Sequence, residues 1–424
     1  MKIVSANEIP SAFFRYRTGR TIKGVREILH KVRQQGDKAL KEYTRKFDGV
    51  LLDNFKIDAS ELKAVASSVN RETMEALHAA GENIRRFAEK QMSQLDDWEF
   101  EIQPGVFTGQ SVVPIRRVGV YVPGGRFPLV STLLMAVIPA QVAGVEEIAV
   151  CSPPDEQGNI SPLILAAADF LGIEEVYRVG GAQAIAALAY GTESIPAVDK
   201  IVGPGNAYVA AAKKEVFGVV GIDIIAGPTE VMIIADESAH PTILAADLIA
   251  QAEHDEEAQP VLVTPSERLA LQVNKAISEQ LPLTSTATIA RTSLERNGWI
   301  ILVNSLQEAA TVANRRAPEH LEVQVSHPEE LIPLLKNYGS LFVGEWSGEV
   351  LGDYSAGINH TLPTNTTARY RGGLSVLDFL KIQTSLRVNQ EGFEAIAPAA
   401  ERLAKAEGLD GHFRSVHLRR LLLG

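Results

Sequence analysis

The sequence has a single cysteine, Cys151, among its 424 residues. One cysteine excludes an internal disulfide framework and any zinc site built from several thiolates. Basic residues are also in deficit, because 41 lysines and arginines face 52 aspartates and glutamates and leave a formal net charge of −11. Such an acidic chain is not expected to bind nucleic acid or anionic membranes non-specifically. Any metal ligands must therefore come from histidine, carboxylate and amide side chains.

The sequence also lacks a long hydrophobic run. Its most apolar stretch, VSTLLMAVIPAQVAGV at 130–145, is interrupted by polar residues and is shorter than the ~20 residues of a membrane-spanning helix. The first residues show no basic patch followed by an apolar run, so they do not resemble a secretory signal. We predict a buried helix at 130–145 and a cytoplasmic location.

The remaining chain has the pattern of a globular α/β protein of two to four domains. Apolar residues at spacings of three and four predict helices through 18–95. From residue 118 to residue 216, short β-branched segments alternate with helical ones, which favours a parallel sheet covered on both faces. The alternation restarts and runs from 231 to 325, at an offset of about 112 residues. It indicates two similar modules, with chance recurrence in a long α/β chain as the alternative.

These patterns divide the chain into five predicted segments. They are an N-terminal arm at 1–17, a helical segment at 18–120 that joins the second module, a first α/β module at 121–230, a second α/β module at 231–374 and a helical tail at 375–424.

Glycine clusters follow three predicted strands, at 121–125, 179–183 and 203–207. None fits the GxGxxG or GxxxxGK[ST] fingerprints. Ligands of open α/β sheets bind beyond the carboxyl ends of strands, where glycines let backbone N–H groups approach. The three loops therefore suggest a cofactor or phosphate cleft that carries Tyr121, Gln183 and Asn206, while tight turns without a ligand are the alternative.

Several side chains could bind a metal. Gln251 and His254 are three residues apart near the end of a predicted helix, Asp353 begins a glycine-rich segment, and His412 lies in the tail. Together they offer imidazole nitrogens, a carboxylate and an amide oxygen, which suit a borderline divalent ion. Spacing alone is weak support for this site.

Two further features concern catalysis. Glu319 and His320 are adjacent at a predicted helix–strand junction, where they form either two bases of different pKa or an ordinary surface turn. Cys151 ends a predicted strand without a neighbouring base, so we predict a small buried residue rather than a nucleophile.

The chain resembles the histidinol dehydrogenase family over nearly its whole length. The resemblance is carried by VGVYVPGG, VGGAQAIAALAYGTESIP, VDKIVGPGNAYV, AGPTEVMIIAD, LIAQAEHD, APEHLE, GDYSAGINHTLPT and LSVLDFLK. It implies an aldehyde-dehydrogenase-like fold of two Rossmann-like, incompletely doubly wound modules. It also implies a cytoplasmic homodimer in which the tail, exchanged between subunits, reaches into the partner's site.

The resemblance further implies a zinc-dependent, four-electron oxidation of L-histidinol to L-histidine through the aldehyde, with two NAD, as the last step of histidine biosynthesis. The implied roles are catalysis by Glu319 and His320; NAD contact by Tyr121, Gln183 and Asn206; zinc ligation by Gln251, His254, Asp353 and His412; and substrate contact by Thr229, Gln251, His254, His320, Asp353, His360, Glu407 and His412.

Two departures from the family pattern leave alternatives open. Thr229 stands where the family usually has serine, and Arg126 follows the first glycine turn, where it could attract an anion. A related zinc and NAD dehydrogenase acting on another diol, such as a sulfonated one, is therefore the main alternative. A nucleotide-binding scaffold without catalysis is the other, and the full set of polar residues argues against it.

Overall fold

The computed structural model describes residues 1–15, 22–124 and 128–423. Arg126, on which the anion-binding alternative depends, lies outside the described residues, as does Gly125 of the first glycine loop. Within those ranges, no helix is long and apolar enough to cross a membrane.

The secondary structure alternates for most of the chain. The strands are β1 Lys2–Ser5, β2 Trp98–Gln103, β3 Val106–Pro114, β4 Arg117–Tyr121, β5 Glu147–Ser152, β6 Glu175–Arg178, β7 Lys200–Val202, β8 Gly221–Ile222, β9 Glu230–Ala235, β10 Gln259–Thr264, β11 Trp299–Leu302, β12 His320–Gln324, β13 Ser340–Val343 and β14 Leu380–Val388. The helices are α1 Val25–Gln35, α2 Asp37–Phe47, α3 Ala59–Ala66, α4 Arg71–Met92, α5 Val130–Ala143, α6 Pro162–Phe170, α7 Gly181–Tyr190, α8 Ala207–Val216, α9 Pro241–Ala252, α10 Glu267–Gln280, α11 Ala287–Arg296, α12 Leu306–Arg316, α13 Pro328–Leu331, α14 Glu349–Tyr354, α15 Gln390–Ala406 and α16 Asp410–Leu423.

Two parallel sheets confirm the prediction of two similar modules. The first has the strand order β6-β5-β4-β7-β8, and the second has the order β1-β11-β10-β9-β12-β13. In each sheet the first strand of the module, β4 or β9, is central. The next two strands along the chain lie on one side of it, and the following two lie on the other side. The second sheet therefore repeats the topology of the first, with β1 added at its edge.

The predicted buried helix at 130–145 is α5, which covers the first sheet. Leu133, Leu134 and Met135 are each at most 1% exposed, as expected of a helix that is apolar on every face. Full burial of one such side chain contributes roughly 1.5–3 kcal/mol. The helix begins shortly after β4, so its first turn lies at the carboxyl edge of the first sheet.

The helical segment at 18–120 was wrongly assigned to the second module. Helices α1, α3 and α4 pack on α7, α6 and α5 respectively, all of which belong to the first module. Their apolar stripes pack against the faces of those helices that point away from the sheet. It is instead β1, in the N-terminal arm, that joins the second sheet.

The tail was predicted to be helical from 375, but it contains the strand β14. This strand pairs with β3 along its whole length, and β2 completes a three-stranded antiparallel sheet. Most β14 residues are exposed, so the segment lacks the buried alternating face that identifies a strand in sequence. Its hydrogen bonds to β3, rather than side-chain burial, hold it extended.

Candidate active site

The predicted catalytic pair lies at the amino edge of the second sheet. His320 begins β12, and Thr229 directly precedes β9. These neighbouring strands are parallel, with His320 opposite Val231, so their amino ends meet at one edge. The helix α9 runs back from the opposite edge and brings Gln251, in its last turn, to the same place.

Glu319 is buried and held by two donors. The Thr229 hydroxyl donates to its Oε2 at 2.6 Å, and the Glu230 amide donates to the same oxygen at 2.9 Å. Burial raises the pKa of Glu319 to about 7, although His320 and these two donors pull in the opposite direction. A carboxyl group with a pKa near neutrality suits general acid–base catalysis.

His320 is also buried, and its two ring nitrogens have different surroundings. Its Nδ1 lies 3.2 Å from the Glu230 carbonyl oxygen, whereas its Nε2 makes no hydrogen bond among the described residues and lies 3.4 Å from the Asp353 carboxylate. Burial lowers the pKa of His320, but the carboxylates of Glu319, Asp353 and Glu349 raise it by more, so the net shift is upward. A buried nitrogen without a hydrogen bond can accept one from a ligand atom.

Gln251 is fully buried at the end of α9, beside the pair. Its amide nitrogen lies 2.9 Å from Glu349 Oε1, and its amide oxygen lies 2.9 Å from the Glu230 nitrogen and 2.6 Å from Thr229 Oγ1. In this orientation the amide nitrogen donates to Glu349 and the amide oxygen accepts from Glu230, while the single Thr229 hydroxyl proton is shared between the Gln251 oxygen and Glu319. This arrangement connects the predicted metal ligand to the predicted base through a single hydroxyl group.

Asp353 lies on the other side of His320. Its Oδ1 is 3.4 Å from His320 Nε2. Burial raises its pKa, but the interactions with His320 and the charges of His360 and His254 lower it more. The Asp353 carboxylate is therefore within electrostatic range of the imidazoles of His360 and His254. The side chain of His254 is exposed.

His360 connects the site to the first module. Its Nδ1 lies 3.1 Å from the Asp353 carbonyl oxygen, and its Nε2 lies 3.0 Å from the hydroxyl of Thr132 in the first turn of α5. Nearby, the Asn359 amide donates to the Met135 carbonyl at 2.6 Å. The amino edge of the second sheet thus faces the carboxyl edge of the first.

The predicted cofactor residues all lie at that carboxyl edge. The hydroxyl of Tyr121, the last residue of β4, accepts from the Gly181 amide at 3.1 Å. Gln183 is buried, and its Oε1 has no partner among the described residues; Ser152 Oγ, at the end of β5, is in the same state. Asn206 caps α8 by accepting from two backbone amides. Partnerless polar atoms beside glycine turns fit a polar ligand.

Glu407 and His412 are not brought to the site within one chain. Both are exposed, and α16 packs against α15, where His417 and Arg420 pair with Glu401. Over the described ranges, no group of three or more histidine, cysteine, aspartate or glutamate residues is arranged to hold a metal ion. Of the four predicted metal ligands, one chain therefore brings only Gln251, His254 and Asp353 to this region.

Three buried carboxyl groups beneath the site were missed by sequence reasoning. Glu349 lies 3.7 Å from His320, its amide donates to Glu322, and Gln324 donates to both Glu322 and Asp247. Burial raises the pKa of all three carboxyl groups, that of Glu322 to about 8. The strand HLEVQ alternates polar and apolar residues, which predicts a strand with one exposed side, yet all five residues are buried, so no local signal in the sequence indicates the burial of Glu322.

Cys151 is fully buried, and burial raises the pKa of its thiol. Its position inside the first sheet confirms the prediction of a small buried residue without a nucleophilic role.

Comparison with known proteins agrees with this geometry. The family model described as histidinol dehydrogenase matches residues 15–420. The chain is 51% identical over 400 residues to the histidinol dehydrogenase of Aquifex aeolicus (strain VF5), covering 94% of this chain and 92% of that protein. It is 47% identical to that of Geobacillus kaustophilus (strain HTA426), covering 94% and 93%. A crystal structure of histidinol dehydrogenase from Elizabethkingia anophelis superposes with a TM-score of 0.94 at 37% identity, covering 100% of this chain and 98% of that one.

Proposed function

The chain belongs to the histidinol dehydrogenase family, and we propose that it oxidises L-histidinol to L-histidine through L-histidinaldehyde, with one zinc ion per site and two NAD. The observation that carries this proposal is the buried pair of Glu319 and His320, in which His320 Nε2 makes no hydrogen bond among the described residues and lies 3.4 Å from Asp353. As a member of this family the chain is an oxidoreductase of histidine biosynthesis.

We propose His254, Asp353 and the Gln251 amide oxygen as the zinc ligands from one chain. Their chemistry suits zinc, and the set is incomplete without a fourth donor. Gln251 must exchange its hydrogen bonds to Thr229 and Glu230 for the metal. When bound, zinc would orient the amine and imidazole of the substrate, and its charge would favour the neutral form of His320.

The fourth donor is proposed to be His412 of a second copy of the chain, with Glu407 of that copy beside the substrate. Both residues are exposed on the tail. Large apolar side chains are exposed on α16 and on the antiparallel sheet, including Leu421, Leu422, Trp98 and Phe100. Apolar surface of this kind favours burial against a partner, so a tail-exchanged homodimer accounts for both features.

NAD is proposed to bind at the carboxyl edge of the first sheet, contacting Tyr121, Gln183 and Asn206, and to accept hydride in each oxidation. This cleft faces His320 through the contact between His360 and Thr132. The proposed substrate role of His360 requires it to give up one of its two ring contacts.

The proton chemistry is assigned to the buried pair. In the first oxidation, neutral His320 accepts the hydroxyl proton at Nε2 as the substrate loses hydride. In the second, Glu319 accepts a proton from water as the water oxygen adds to the aldehyde carbon, and protonated His320 returns its proton to the carbonyl oxygen to give the diol. Neutral His320 then accepts a hydroxyl proton of this diol as hydride leaves to the second NAD. The hydroxyl group of Thr229 lies between Glu319 of this pair and the proposed metal ligand Gln251.

The test is an absorbance assay with L-histidinol and NAD. We expect two NADH per histidinol consumed, loss of activity with a chelator, and recovery on addition of zinc. His320→Gln should lower kcat by about 10²–10⁴-fold, the usual contribution of a general base. Turnover of a sulfonated diol without turnover of histidinol would refute the assignment. A cytoplasmic location stays a prediction, to be checked by cell fractionation.

A further inference from the structure

We infer that Thr229 is a positioning residue for Glu319, holding its carboxylate so that one defined oxygen faces the reacting water. The inference rests on the proposed two-step oxidation. It assigns to Thr229 a role different from direct substrate contact.

Both hydrogen bonds to the Glu319 carboxylate go to one of its two oxygens. The Thr229 hydroxyl and the Glu230 amide both donate to Oε2, at 2.6 and 2.9 Å. No other hydrogen bond to this carboxylate comes from the described residues, so Oε1 is the oxygen available to water. Two donors on one oxygen fix the rotation of the carboxylate plane.

The Thr229 hydroxyl has one proton, which it can give either to Glu319 or to Gln251. Its Oγ1 lies 2.6 Å from the Gln251 amide oxygen, and ligation of that oxygen to zinc, as proposed, leaves the proton for Glu319. The β-branch of threonine restricts rotation about χ1 more than serine would. With Gln251 on the metal, the hydroxyl group therefore points at Glu319 before any substrate arrives, as preorganised catalysis requires.

This arrangement predicts an unequal effect on the two oxidations. Water is activated only in the second, so misorientation of Glu319 slows oxidation of the aldehyde while His320 still serves oxidation of the alcohol. A residue that only contacted the substrate would affect both oxidations through binding.

The experiment compares Thr229→Val, which keeps the shape but loses the hydroxyl, with Thr229→Ser, which keeps the hydroxyl. NADH formation is measured from L-histidinol and, separately, from supplied L-histidinaldehyde, with an aldehyde-trapping amine in a parallel assay. For Thr229→Val we expect kcat for the aldehyde to fall about tenfold or more, with KM for histidinol unchanged. NADH per histidinol should then fall from two towards one in the presence of the trap, and Thr229→Ser should restore both values.

Equal slowing of both oxidations, an increase in histidinol KM alone, or loss of bound zinc in proportion to activity would each overturn the inference. If Thr229→Val does not fold, as judged by circular dichroism, Thr229→Ala is measured in the same way. Wild-type protein that forms no NADH from histidinol would instead refute the proposed function, so the two failures are distinguishable.

Discussion

At the scale of single residues, the site is dominated by carboxyl groups that are buried together. Glu319, Glu322 and Glu349 each have a raised pKa, and burial is the largest cause in every case. Several like charges cannot all ionise in one desolvated place, so the folded chain retains protons that the unfolded chain would release. Both pH-dependent stability and tuned acid–base chemistry follow from this crowding.

Glu322→Gln should reduce the pH dependence of stability. The folded pKa of Glu322, about 8, lies above its ordinary value of 4.5, so its stabilising contribution is complete below pH 4.5 and is lost as the pH rises through 8. With chelator present, Tm of the wild type should fall between pH 6 and pH 8.5, and Tm of Glu322→Gln should fall less. Each unit of pKa corresponds to about 1.4 kcal/mol.

Glu156→Gln, in an exposed loop, is the matched control and should follow the wild type. An equally steep pH dependence in Glu322→Gln would show that this carboxyl group does not hold a proton in the folded chain.

Arg316→Met should strongly destabilise the chain. Arg316 is 1% exposed, is paired with Glu230, and donates to the Phe13 carbonyl at 3.1 Å. Removing it leaves a buried charge on Glu230, which typically costs about 3–5 kcal/mol. Urea denaturation measures the loss, and the double variant with Glu230→Gln should recover part of it. A loss below about 1 kcal/mol, the range of exposed ion pairs, would contradict this expectation.

At the scale of elements, the site depends on which ends of the strands face each other. The first module contributes loops after β4, β6 and β7, as the usual rule for parallel sheets predicts. The second contributes the residues at the start of β9 and β12, together with the last turn of α9. The rule therefore predicts the position of the proposed cofactor cleft but not that of the proposed catalytic pair.

Gly203→Ala should disrupt the cofactor cleft. Gly203 has φ +111°, and a Cβ there would lie 2.1 Å from the Tyr121 carbonyl oxygen, so β4 and β7 would have to separate. We expect destabilisation by roughly 1–3 kcal/mol and weaker NADH binding, measured by thermal denaturation and by NADH fluorescence.

Gly218→Ala is the control for backbone strain, since it also has a positive φ, +99°, but has open space around the Cβ position. It should lose some stability and keep normal NADH affinity. An equal loss of NADH affinity in both variants would show that the contact between the Gly203→Ala side chain and the Tyr121 carbonyl oxygen is not what weakens NADH binding.

At the scale of the whole molecule, one chain does not bring together all the residues proposed for the site. The second module, the first module and loop 355–360 come together around His320, whereas the tail that carries Glu407 and His412 packs away from them. A tail-exchanged dimer resolves this separation, because each site would then use residues of both copies.

Mixed dimers test this expectation. Subunits of His320→Gln and of His412→Asn, each inactive alone, are unfolded and refolded together. A mixed dimer has one site with both defects and one with neither, so random pairing should restore about a quarter of wild-type activity. Activity is measured as NADH formation, with each variant refolded alone as control. No recovery, with dimers shown by light scattering, would mean that His412 serves its own chain.

Local patterns predicted much of the fold. The repeated strand–helix order, the buried α5 and the burial of Cys151 are confirmed, because burial of strands and helices leaves periodic apolar residues in the sequence. Glu319, His320, Gln251 and Asp353 stay predictions as site residues, and the folded chain brings these four together. Strand β14 and the buried acids Asp247, Glu322 and Glu349 were not predicted, because their state depends on contacts with distant segments.

Composition and local pattern establish that the chain is an acidic α/β protein of two repeated modules, with one buried cysteine. These properties follow from burial and backbone geometry, which act over a few residues. Contacts between segments far apart in sequence determine the raised pKa of Glu319, the surroundings of His320 Nε2 and the hydrogen bond from Thr229 to Glu319. Side chains lose water and acquire defined hydrogen-bond partners only when such segments pack together. The tertiary structure, and not the sequence pattern, therefore determines these properties.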